Sequence, residues 1–333
     1  MQMPYFQVFF LAFCALNQIS PVATTLSTPN DLFNTSDVDD VFSDKILGLG
    51  IPQWPVGFNV SYDFKSPKIK GLATLMTAVE ALKQMALEDW TGVIASMQSF
   101  RLPGYQAEIV IDIIPYNQGQ QLERRFAILG IILGLFRMWK NNREFQYLTV
   151  TLEWHEVPFG LVVFNIDAVT TPLTIGGKSI NGSLNLDKRS IANDSAILQM
   201  VNNTASVEAT FASHLKTIFS PAGGEGDIFN IFDVFFPIMS ALSDLAFLPK
   251  LFRLHHFVTG LKGFDGALCI RGVYPDSPPY LEVQWIIVAL SRLPDYMLSA
   301  RRWGSVHITL WIDEQLIGKG GFLRMEDPQC GGS

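Results

Sequence analysis

Hydrophobic positions along this chain change period several times, and each change marks an element. Val56, Phe58, Val60, Tyr62 and Phe64 alternate with Gly57, Asn59, Ser61 and Asp63. A period of two is that of a strand buried on one face. Ser66-Pro67 then reads as a helix start with Pro in the first turn. Ile69, Leu72, Leu75, Met76, Val79, Leu82 and Met85 follow at three- and four-residue spacing, the pattern of an amphipathic helix. A strand over 107–115 and an apolar helix over 120–140 come next. Strands over 145–154 and 159–166 then form a hairpin around His155-Glu156-Val157-Pro158. Thr, Gly, Asn and Ser dominate 170–204, an exposed connection. The order then restarts. Val207, Ala209 and Phe211 alternate with polar residues, and a helix covers 228–248. A strand over 267–275 precedes a helix over 280–301 that Pro294 breaks or kinks. A hairpin of 306–312 and 316–323 ends the pattern.

The restart is a duplication. At an offset of 160, Ala81-Leu82 meets Ala241-Leu242, Ala107 meets Ala267 and Pro115 meets Pro275. At an offset of 158 the hairpins superpose, with Thr151-Leu152 on Thr309-Leu310, Glu156 on Glu314 and Phe164 on Phe322. Leu148, Val150, Leu152 and Trp154 share a strand face with the same parity as Val306, Ile308, Leu310 and Ile312. A slip of one residue would invert every side chain, so this register is informative. Two positions fit poorly: Ile111 falls opposite Arg271, and the first strands need an offset of about 147. The expected fold is α+β, with two pseudo-symmetric β-α-β-α-β-β units, packed through sheets and helices. The expected organisation is a signal peptide over 1–20, a flexible acidic lead-in over 21–50 and a first unit over 51–168. A glycosylated connection over 169–204, a second unit over 205–326 and a tail over 327–333 complete it.

Composition narrows the class. Hydrophobic residues are 48% of the 333, charged residues only 17%, so a large core is available. The net charge of −7 excludes a basic nucleic-acid footprint. The apolar stretch Phe6–Leu16, followed by small and polar residues and Pro21, matches a secretory signal peptide and is too short to span a bilayer. Asn34, Asn59, Asn181, Asn193 and Asn202 all stand in Asn-x-Ser/Thr triplets, acceptors for N-glycosylation. Removal of Cys14 with the signal leaves Cys269 and Cys330, an even pair expected to form a disulfide in an oxidising compartment. The expected localisation is extracellular, with no membrane span after signal removal.

Candidate chemistry is sparse. Glu153, His155 and Glu156 form the densest titratable group, in which carboxylates beside an imidazole could do acid–base work. Asp313 and Glu314 occupy the matching turn of the second half. Hairpin tips are usually polar because they face water. Gly223-Gly224-Glu225-Gly226 lacks the Lys and Ser/Thr of a phosphate loop. His255 and His256 are adjacent, so on a regular element they point apart and rarely share one metal ion. Trp303 and Trp311 sit where exposure, and stacking on a ligand, is conceivable. No metal or cofactor is expected.

Phe100-Arg-Leu-Pro-Gly-Tyr105, Leu122-Glu-Arg-Arg-Phe-Ala127 and the Thr149–Phe164 hairpin carry a resemblance to uncharacterised secreted proteins of filamentous fungi. That resemblance implies export and no assigned activity. The expected function is therefore non-catalytic binding of a small ligand or an extracellular partner, at a concavity between the units. The alternative is a hydrolase or lyase acting through Glu153, His155 and Glu156.

Overall fold

A computed structural model describes residues 55–105, 108–116, 120–141, 144–166, 174–175, 178–179, 214–224, 228–274 and 277–324. The first unit runs β1 (Phe58–Lys68), α1 (Gly71–Ala86), β2 (Gln98–Phe100), β3 (Val110–Pro115), α2 (Arg124–Lys140), β4 (Gln146–Trp154) and β5 (Val157–Asn165). A two-stranded ribbon follows, β6 (Thr174–Ile175) and β7 (Lys178–Ser179). The second unit runs β8 (Leu215–Pro221), α3 (Ile231–Ala246), β9 (His256–Gly260), β10 (Gly266–Gly272), α4 (Val283–Ser299), β11 (Val306–Ile312) and β12 (Gln315–Arg324).

The two sheets have the same topology. Their orders are β1-β4-β5-β3-β2 and β8-β11-β12-β10-β9, antiparallel throughout. The duplication is thus built into strand order as well as sequence. Each unit holds one strand more than its hydrophobic periodicity shows. β2 and β9 are short edges, and Gln98-Ser99-Phe100 is too brief to alternate visibly.

The register resolves both poor fits. Ile111 pairs with Phe164, and Leu268 pairs with Phe322. Since Phe164 and Phe322 are equivalent, Ile111 corresponds to Leu268 and Ile113 to Ile270, an offset of 157 (268 − 111). All four are essentially without solvent exposure. An offset of 160 reversed the parity and placed Arg271 opposite Ile111; the structure corrects that alignment. In the first strand, Phe58 pairs with Trp154 and Leu215 with Ile312, again an offset of 157 (215 − 58). The strand in that position is therefore Leu215–Pro221, not 207–211, which lies outside the described residues.

Local chemistry explains other boundaries. Ser66 and Pro67 do not start α1; they continue β1, and the helix begins at Gly71. The β1–β4 register shifts between Lys65 and Lys68, so Pro67 sits in an irregularity of an edge strand that has no need of its N–H. Pro294 neither breaks nor ends α4, which continues to Ser299. Pro158 lies where the β4–β5 register shifts, beside Leu152 and Glu153. His155 and Glu156 have φ of 49° and 67°, and Asp313 and Glu314 have 45° and 69°. Both hairpins therefore close in two residues with positive φ at both positions, the type I′ geometry that matches strand twist.

The helices lie between the two sheets. α1 packs on β2 and β3, α2 on β4 and β5, α3 on β9 and β10, and α4 on β8. Across the junction α1 meets α3 and α4, and α2 meets α3. One continuous hydrophobic core joins both units. Phe136 and Trp139 of α2 stack into Phe236 of α3, with ring centroids 4.3 and 5.8 Å away, and Phe264 closes the cluster 5.2 Å from Phe236. The equivalent seam between α1 and α4 carries charged groups at its exposed side. There the charges of Glu80 and Lys83, which are themselves paired at 3.0 Å, act on Asp295.

The two units place their small residues differently where helix meets sheet. In α2, a Cβ on Gly130 would lie 2.9 Å from Val162, and one on Gly134 2.6 Å from Phe164. The α4 helix, one residue differently offset, carries Ala289 and Leu293 instead, while Gly320 replaces Val162 in the strand.

Candidate functional site

The hairpin residues are placed individually. Glu153 Oε1 accepts a hydrogen bond from Ser61 Oγ at 2.9 Å. His155 donates its backbone N–H to Gly57 at 2.7 Å, and its ring lies against Trp154 at 5.5 Å. A Cβ on Gly57 would collide with that imidazole, so Gly57 (φ 92°) provides its seat. His155 and Glu156 are exposed. In the second turn, Asp313 pairs with His214 at 2.8 Å. Each turn's partners thus come from its own unit, at or beside the edge strand. His255 and His256 are exposed, and His256 opens β9 opposite Arg271. Gly223 and Gly224 accept hydrogen bonds from Arg302 Nη2, the former at 2.8 Å, which ties them to the segment between α4 and β11. Trp303 packs on Phe235 at 5.8 Å, and Trp311 is half-buried on β11. Among the described residues no group of three or more His, Cys, Asp or Glu could hold a metal ion.

A concavity does occur at the junction. An open groove of about 340 Å³ is lined by Lys68, Ile69, Gly71, Leu72, Leu75, Glu144, Phe145, Ile231 and Phe232. It lies where the first turns of α1 and α3 meet, and Gly71-Leu72 corresponds to Ile231-Phe232 at an offset of 160 (231 − 71). Equivalent positions of the two units thus form facing walls. Phe145 and Phe232 are near-parallel, with centroids 6.2 Å apart. Gly71 keeps the mouth open, since a Cβ there would touch the Phe145 ring at 3.0 Å. Phe145 is tied in place through its carbonyl, which accepts from Ile69 N–H at 3.0 Å. Phe229 makes the same bond to Trp303 at 2.7 Å, so Trp303 occupies the Phe145 position of the second unit. The larger indole packs on Phe235 there, while the smaller Phe145 leaves room beside Phe232.

The mouth carries charge. Lys68 Nζ and Glu144 Oε1 are 2.9 Å apart, and both side chains are exposed. The hydrogen bond and charge of Lys68 hold the Glu144 carboxyl below the usual carboxylate range. The groove therefore offers an apolar floor and a zwitterionic rim. Sequence reasoning placed a binding concavity between the units but missed these residues. Only the pairing of Leu72 with Phe232 by pseudo-symmetry could have indicated them.

Two modification signals fall partly within the described residues. Asn59 is half-buried on the edge strand β1, on the opposite face from the core residue Phe58. Asn34, Asn181, Asn193 and Asn202 lie outside the described residues. Cys269 is disulfide-bonded, and Cys14 and Cys330 lie outside the described residues. No helix of the described residues is long and apolar enough to cross a membrane.

No protein-family model matches the chain, and no curated protein matches it. Among solved structures it is similar to the crystal structure of the tandem DUF26 ectodomain of the Arabidopsis thaliana cysteine-rich receptor-like protein PDLP8. That match covers 79% of this chain and 97% of the other, at 9% identity and a TM-score of 0.21. A superposition that loose carries no argument about what this chain does.

Proposed function

We propose that the protein is exported and glycosylated, and that it binds a small amphipathic ligand in the groove between its two units. The observation that carries this reading is the groove itself: apolar walls from equivalent helix starts, with an ion pair at the rim. Its volume of about 340 Å³ falls at the lower end of ligand-binding cavities. An aliphatic or flat aromatic body would rest between Leu72, Phe145 and Phe232, and a polar end would meet Lys68 and Glu144. Export is supported by the Phe6–Leu16 stretch, the five glycosylation triplets and the disulfide of Cys269, since disulfides persist in oxidising compartments.

The test uses a fluorescent apolar anion, anilinonaphthalene sulfonate, with the intact protein. Saturable enhancement is expected, and Leu72→Trp, which fills the groove, abolishes it while leaving circular dichroism unchanged. Equal binding by the filled variant would remove the groove from the account. Intact-mass measurement of secreted protein checks the second half of the proposal. A product lacking its N-terminal segment and carrying glycans is expected; an unprocessed, unglycosylated one would contradict export.

A further inference from the structure

The chain that follows the first helix of each unit folds identically in both. After α1, Gly92 N–H donates to Asp89, Arg124 N–H to Gly92, Arg125 N–H to Trp90 and Ile94 N–H to Leu122. After α3, Phe252 N–H donates to Pro249, Val283 N–H to Phe252, Gln284 N–H to Lys250 and Leu254 N–H to Leu281. The matching bonds lie 160 residues apart on the turn side (252 − 92). An isolated bridge closes each turn, Val93 with Glu123 and Arg253 with Glu282.

The side chains differ completely. The first turn reads Leu87-Glu88-Asp89-Trp90-Thr91-Gly92-Val93, and the second Phe247-Leu248-Pro249-Lys250-Leu251-Phe252-Arg253. In the first, Glu88 is paired with Arg124, and Asp89 accepts from Thr91 N–H at 3.2 Å. In the second, the acids are gone. Phe247, 51% exposed, sets its ring edge-on to Trp90 of the first turn at 6.0 Å, whereas Leu251 is 67% and Phe252 46% exposed. Lys250 and Arg253 stand among them at the surface, with Arg253 held over the Tyr280 ring at 3.4 Å. Because Thr91 and Gly92 support the same backbone, folding does not require Leu251 and Phe252. Their exposure is a cost that the fold does not explain.

We infer that the Phe247–Arg253 turn is a docking surface for a membrane carrying anionic headgroups. Six of its seven residues are exposed. In a protein partner's pocket, Lys250 would be buried between apolar neighbours and would need a matching acid. At a bilayer interface the same interleaving is favourable. Leu251 and Phe252 enter the acyl boundary, while Lys250 and Arg253 reach back to phosphates. This site lies at the helix C-terminal end, away from the groove at the helix starts, and does not rest on the ligand reading.

The experiment is co-sedimentation of the full chain with phosphatidylcholine vesicles, with and without phosphatidylserine. Binding is expected only with the anionic lipid and falls as salt rises. Leu251→Thr with Phe252→Gly, the residues of the equivalent turn, lowers partitioning on the order of 100-fold without loss of fold. Lys250→Ser with Arg253→Ser lowers it about 30-fold. Both variants retain anilinonaphthalene sulfonate binding at the groove, which separates this proposal from the functional one. Equal sedimentation of wild type and the Leu251→Thr/Phe252→Gly variant overturns the inference. So does concentration-dependent self-association that the same variant abolishes, which would make the turn a contact between copies.

Discussion

Replacing Phe236 by Ala probes the junction between the units. Phe236 is 1% exposed and sits 4.3 Å from Phe136, 5.2 Å from Phe264 and 5.8 Å from Trp139, ring centroid to ring centroid. Burying a phenyl ring and then removing it costs the transfer free energy plus the cavity left behind, about 3–5 kcal/mol in a site that cannot collapse. Here three of its neighbours are rigid aromatics, so the upper half of that range is expected. For a protein of this size the loss corresponds to a fall in Tm on the order of 10 °C. Phe126→Ala is the control. Phe126 is also without exposure, but its ring partners Phe58, Trp154 and Phe159 all belong to the first unit. Both variants should lose comparable stability in urea unfolding followed by circular dichroism. Only Phe236→Ala should also lower the slope of the transition, because the two units begin to unfold separately. A loss under about 1 kcal/mol for Phe236→Ala would refute the reasoning, since it would mean that the aromatic cluster does not join the units.

Other expectations follow from single positions. Burial and the charge of Glu80 raise the Asp295 carboxyl above its ordinary range, and Lys83 opposes them. A carboxyl raised in the fold stabilises most when protonated, so its contribution is complete below the ordinary carboxylate pKa and is lost as pH rises through the folded value. Asp295→Asn should remove that slope from a stability–pH profile and stabilise slightly at neutral pH, within the 1 kcal/mol or so of a solvent-screened group; an unchanged slope would contradict it. Glu156 has φ of 67°, so Glu156→Gly should raise stability by up to about 1 kcal/mol in thermal melts, and a fall would show that its side chain matters to the turn. Gly266→Ala should cost about 2 kcal/mol or more, because the new Cβ would stand 2.2 Å from the Asp233 carbonyl, which is backbone and cannot swing aside; a neutral result would mean that β10 approaches α3 less closely.

The repeat was legible because β4 and β11 alternate apolar and polar residues. Leu148, Val150 and Leu152 against Val306, Ile308 and Leu310 carry their parity in the residues themselves. β3 does not. Val110, Ile111, Asp112 and Ile113 are all buried, so both faces are covered and apolar identity says nothing about which side chain faces the helices. Matching Ala107 to Ala267 there chose the wrong parity. The Ser66-Pro67 helix start failed for a related reason: a proline tolerated at an edge-strand irregularity looks, in sequence, like a first helical turn. The groove was invisible because Phe145 and Phe232 are separated by most of a unit and meet only through the pseudo-symmetric packing of α1 on α3. The exposed turn was hidden for the opposite reason. Phe247 continues the apolar run of α3, and only the end of the helix at Ala246 turns it outward.

Zero-length carbodiimide cross-linking with peptide mass spectrometry tests most directly whether the two units are joined through their helices. The charge of Lys83 on α1 acts on Asp295 of α4 across the seam, and Lys68 and Glu144 provide a pair within the first unit at 2.9 Å. The account predicts an amide between Lys83 and Asp295 alongside the Lys68–Glu144 product, both lost on unfolding. Recovery of Lys68–Glu144 with Lys83 joined only to its neighbour Glu80 would contradict it.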